Sequence, residues 1–89
     1  MAEYQDITFL RKRMLQLLEP YRDTGMTAKT LHMALTNEFP RLTEETTCHQ
    51  LHYLAQNGLV ASKSALLGGP HRWLLSAAGL GYGESQGLF

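Results

Sequence analysis

Cys48-His49-Gln50-Leu51-His52 is the densest run of reactive side chains in the 89-residue chain. Cys48 and His52 are spaced i, i+4 and His49 and His52 i, i+3, so on a helix each pair shares a face. A thiol and imidazoles so placed are metal-capable, but a zinc site needs three or four ligands. His32 or His71 would have to complete the set, and no second spaced Cys/His pair is present. No metal or other cofactor is therefore expected, and the run reads as a polar helix face with a half-buried thiol. Nucleophilic catalysis fares no better. Cys48 and His49 are neighbours that point apart on a helix, and no third group orients the base. Gly68-Gly69-Pro70 has no phosphate-loop pattern. The chain is not expected to be an enzyme.

The element that carries this run is marked clearly. Thr43 is a helix cap, Glu44 and Glu45 suit the positive end of the helix, and Thr47, Leu51 and Leu54 form an inward face. Gly58 ends the helix as a left-handed cap. Upstream, Asp6 is placed to cap a first helix with Ile7, Leu10, Met14, Leu17, Leu18 and Tyr21 inward, stopped near Pro20. Arg11, Lys12 and Arg13 lie off that stripe, as a solvated face. Phe9 and Leu15 also lie off it and provide for a homodimer contact. Asp23-Thr24-Gly25 is a turn, and Thr27 caps a second helix to about Glu38 with Leu31, Ala34 and Leu35 inward.

Beyond the third helix, 59–64 and 71–76 are strand candidates around a loop that contains Leu66, Leu67 and Pro70. Alternation places His71, Trp73 and Leu75 on one face, and Arg72, Leu74 and Ser76 on the other. Trp73 is expected in the core beneath the hairpin. Leu66 and Leu67 at its tip would suit a protein partner. Four glycines from Gly79 to Gly87 make 80–89 a flexible tail after a domain spanning 1–79.

Eight basic and eight acidic residues leave no net charge, and 44% of the chain is hydrophobic. That suits one small folded domain. A single cysteine excludes an internal disulfide and fits the cytoplasm. No apolar run is long enough for a membrane span, and residues 1–6 do not resemble a secretory leader.

Helix, helix, helix, hairpin in this order resembles the winged helix-turn-helix superfamily. Leu51-x-x-Leu54 with Gly58-Leu59-Val60 resembles the recognition helices of small bacterial or phage regulators of the ArsR and MarR type. Trp73-Leu74-Leu75-Ser76-Ala77-Ala78-Gly79 is similar to the segment that closes their wing. The resemblance covers about 7–79. It implies an α+β fold of three helices and a short two-stranded antiparallel wing, and a transcription regulator that binds double-stranded DNA as a dimer. Helix 43–57 would enter the major groove with Glu45, Thr46, Cys48, His49 and His52 near the bases, and the 59–76 wing would lie on the backbone. Thr46, His49, Gln50 and His52 can hydrogen-bond base edges, Gln50 bidentately with adenine if it faces outward. Glu45 can accept from cytosine. No Lys or Arg occurs between Arg41 and Lys63, so charge for phosphates would come from Lys29, Arg41, Lys63, His71 and Arg72. The alternative expectation is a winged-helix protein-interaction module that does not bind DNA.

Overall fold

The computed structural model describes residues 7–63 and 71–89. The fold is α+β, with four helices and a three-stranded antiparallel sheet. Helix α1 (Ile7–Leu18) runs into a 3-10 turn (Glu19–Tyr21), then strand β1 (Met26–Thr27) and helix α2 (Ala28–Leu35). Helix α3 (Glu44–Gln56) is followed by β2 (Val60–Lys63), β3 (Arg72–Leu75) and α4 (Ala77–Ser85). The sheet order is β1-β3-β2.

The starts of α2 and α3 have a local cause. The Thr27 and Thr43 side chains accept from the amides of Thr30 and Thr46, satisfying donors that the first turn leaves open. Leu59 N–H donates to Leu54 O across Gly58, whose φ is +76°, which closes α3 in a Schellman-type turn. The core gathers Leu10, Met14, Leu15 and Leu18 of α1, Leu31 and Leu35 of α2, and Leu51 and Leu54 of α3. Met26, Val60, Trp73 and Leu75 cover it from one face of the sheet. In β3 the expected alternation holds, with Trp73 and Leu75 turned inward.

Several expectations are corrected. The expected strand pair gains a third member because Met26 and Thr27 pair with Trp73 and Arg72. In α1, Leu15 is only 1% exposed and belongs to the core, while Tyr21, beyond it in the 3-10 turn, is exposed. Leu15 therefore cannot supply a dimer contact without opening α1. Phe9 is exposed at its ring, which lies 5.9 Å from that of Phe39. Ala34 is exposed, and α2 ends at Leu35 rather than near Glu38. Asp6, Leu66 and Leu67 lie outside the described residues.

The largest correction concerns the glycine-rich end. Instead of a tail beyond 79, the chain forms α4, the fourth helix. Glycine disfavours helix by about 1 kcal/mol per residue relative to alanine, so contacts rather than propensity sustain it. Ser76 Oγ accepts from the Gly79 amide at 3.0 Å, and Gln16 Nε2 on α1 donates to Leu88 O at 3.1 Å. Leu80 and Leu88 pack against the core. A Cβ on Gly79 would collide with the Leu59 carbonyl oxygen, so the helix approaches the main chain more closely than any other residue would allow.

Arg13, expected on a solvated face, holds Glu38 with Nε and Nη2 at 2.9–3.2 Å and so ties α1 to the segment after α2. His32 Nε2 donates to Leu42 O at 2.7 Å and braces the link between α2 and α3.

Two outcomes are expected. Gly79→Ala lowers stability by about 2 kcal/mol or more in urea unfolding, because backbone must move, whereas Gly81→Ala, with open space around its Cβ, is neutral or stabilising. Equal effects at the two positions would show that the Leu59 contact does not constrain α4. The Arg13 guanidinium also holds the Glu38 carboxyl below its usual range. Its contribution is present above the unfolded carboxylate value and is lost as pH falls through the lowered folded one. Arg13→Gln should remove that acid-limb component from pH-dependent melts, modestly, since the pair is exposed.

Candidate functional site

The capped start of α3 sets which side chains reach solvent. Glu44, Glu45, His49 and His52 are exposed, and Thr46 and Cys48 are half-buried. Gln50 is 8% exposed and turned inward, where its Oε1 accepts from Arg11 Nε at 2.8 Å. That removes Gln50 from any adenine contact: its amide oxygen satisfies an arginine. Thr46 is also engaged, its amide donating to Thr43 Oγ1 and its hydroxyl oxygen accepting from the same hydroxyl. The Thr46 hydroxyl keeps a proton that it can donate outward.

Part of the expected set converges. Lys29 at the start of α2, Glu44, Cys48 and His52 on α3, and His71 and Trp73 at the sheet line a shallow groove of about 540 Å³. His52 stands edge-on to the Trp73 ring, with centroids 5.0 Å apart and planes at 85°. The contact orients the imidazole against a rigid, largely buried surface. One wall of the groove is thus cationic at Lys29, and the other begins with the Glu44 carboxylate.

The remaining expected contacts lie elsewhere. Lys63 and Arg72 are cross-strand partners in β2 and β3 and share the sheet face opposite to Trp73. Arg72 Nη1 donates to Gly25 O at 3.3 Å, which anchors it to the turn before β1. Arg41 is exposed just before the Thr43 cap. The expected residues therefore form a groove beside α3 with charges flanking it, rather than one continuous patch.

The metal-capable run does not assemble a site. Among the described residues no three His, Cys, Asp or Glu groups are placed to hold one ion. His32 is committed to Leu42 O. Burial and the Glu44 carboxylate push the Cys48 thiol above its usual range, which is the reverse of what a nucleophile or thiolate ligand needs.

One feature escaped sequence reasoning. The Arg11 guanidinium lies 3.7 Å above the centre of the Tyr53 ring while its Nε holds Gln50. Nothing in a spacing of 39 residues signals the Arg11–Gln50 pair, which exists only because folding brings these two side chains of α1 and α3 together. The chain matches no model of a known protein family and no curated protein.

Cys48 should react with a disulfide reagent at neutral pH more slowly than free cysteine, and Glu44→Gln should speed it. A rate equal to or above that of free cysteine in the unmutated protein would contradict the protonated, shielded thiol.

Proposed function

We propose that this domain is a winged helix-turn-helix that binds double-stranded DNA, with α3 in the major groove. The order helix, strand, helix, helix, hairpin, with the hairpin beside the capped helix, is the layout on which such modules present a helix to a duplex. The observation that carries the reading is how the positive charge is sorted. Arg11, Arg13, Arg22 and Arg72 are engaged with Gln50 and Tyr53, Glu38, Glu19 and Gly25 O respectively. The other four make no ion pair among the described residues. Of these, Lys12 lies on α1, whereas Lys29, Arg41 and Lys63 belong to the start of α2, the approach to α3 and the hairpin. In this reading those three and His71 contact phosphates, while Glu45, Thr46, Cys48, His49 and His52 face base edges.

With three or four phosphate contacts the affinity is modest and strongly salt-dependent. The two carboxylates at the start of α3 work against phosphate and favour a second reading, a protein-interaction module that uses the same face. Anisotropy titration of a labelled duplex at several salt concentrations separates the two. The unmutated protein should bind, and Lys29→Ala with Lys63→Ala should weaken binding to all sequences alike. The slope of log affinity against log salt should fall by roughly 0.9 per lost contact. No duplex binding at low salt, or an unchanged slope in the double variant, would sink the DNA reading and leave α3 to a protein partner.

A further inference from the structure

On a different face of α3 from the Trp73 groove, a cleft of about 310 Å³ opens between α1, the second half of α3 and α4. Its charge is one-sided. Arg11 and Lys12 line it, and among the described residues no carboxylate does and Lys12 makes no ion pair. Its floor is apolar, from Leu15, Leu54 and Leu59, and Tyr53 and Tyr82 stand partly exposed at its sides.

Arg11 is held for recognition rather than left to wander. Its Nε is fixed by Gln50, and its plane is fixed by the Tyr53 ring 3.7 Å below. Nη1 and Nη2 have no hydrogen-bond partner among the described residues. A guanidinium pinned at Nε presents those two nitrogens as a fork whose geometry matches a planar carboxylate. Pinning also lowers the entropy lost when a ligand arrives. The volume is at the small end for ligand pockets, which suits a single ring and excludes a dinucleotide or a long chain. A cationic fork above an apolar floor, flanked by two phenols, selects an anion that also carries a flat apolar body.

We propose that this cleft binds a small aromatic carboxylate, its carboxylate on Arg11 and Lys12 and its ring between Tyr53, Tyr82 and the leucine floor. The inference does not depend on the DNA reading, since it concerns another face and its test contains no nucleic acid. The bound ligand touches α1, α3 and α4 together, so it stabilises the folded arrangement of all three.

The test is a titration of the full chain, labelled with ¹⁵N, with benzoate, benzamide, acetate and inorganic phosphate. Benzoate should give saturable shifts at the amides of Arg11, Lys12, Tyr53, Tyr82 and their neighbours. Benzamide, with the ring but no charge, and acetate and phosphate, with charge but no ring, should each bind at least about tenfold more weakly. Arg11→Lys keeps the charge and loses the fork, and should cost about tenfold in benzoate affinity. Lys12→Gln, which breaks no ion pair among the described residues, should cost a few-fold and serves as the check if Arg11→Lys disturbs the fold. Benzamide, acetate or phosphate binding as tightly as benzoate would overturn the proposal. So would shifts that map to another surface, or parental affinity in both variants.

Discussion

The main-chain carbonyl of Leu59 is the point on which the rest of this fold depends. Leu59 N–H closes the end of α3 on Leu54 O, and its carbonyl accepts from Ser76 N–H at 3.1 Å just after β3. The first turn of α4 presses on the same oxygen through Gly79. The end of α3, the start of the hairpin, its return and the last helix therefore meet at one peptide group. Ser76 adds a hydrogen bond from its hydroxyl to Gly58 O at 2.5 Å while capping α4. Because backbone groups cannot rotate away as side chains can, the angle between α3 and the hairpin is set by hydrogen-bond geometry as well as by apolar packing. The depth of the groove between them follows.

Charge is organised by the same economy of partners. A neutral chain of this size has few cations, and half of its eight basic residues are arginines held by internal acceptors. Arginine suits that work because its fork satisfies two or more acceptors at once. The lysines, with compact and strongly hydrated heads, remain outside. The division leaves Lys29 at the Trp73 groove and Arg11 with Lys12 at the other cleft, with Arg41 and Lys63 exposed elsewhere. Between groove and cleft runs α3, whose own exposed charges are carboxylates.

His52 and Gln50 illustrate how two residues of similar polarity on one helix receive different work. They are two positions apart, about 200° around the helix axis by ordinary helical geometry. His52 faces the sheet and meets the edge of Trp73. Gln50 faces α1, where it is nine-tenths buried and holds Arg11. A buried amide is tolerated there because its oxygen is satisfied by a charged donor. The polar face of α3 is accordingly narrower than its composition implies.

The threonine caps of α2 and α3, the glycine stop after α3, the inward leucines and the alternation of β3 were all legible in the sequence, because each rests on contacts within a few residues. What the sequence could not disclose was set by approach between distant segments. β1 exists because Met26 and Thr27 meet β3, and two residues alone carry no strand signal. Leu15 is core rather than surface because α1 is buried over a wider arc than one stripe. α4 is the clearest case: glycines at 79, 81 and 83 argue against a helix locally, yet Gly79 allows the contact with Leu59 that places one there. The Arg11–Gln50–Tyr53 cluster likewise depends on side chains of α1 and α3 that meet only in the folded chain. Local hydrogen-bond chemistry is written in neighbouring residue types, whereas close packing is a property of surfaces that come together only when the chain is folded.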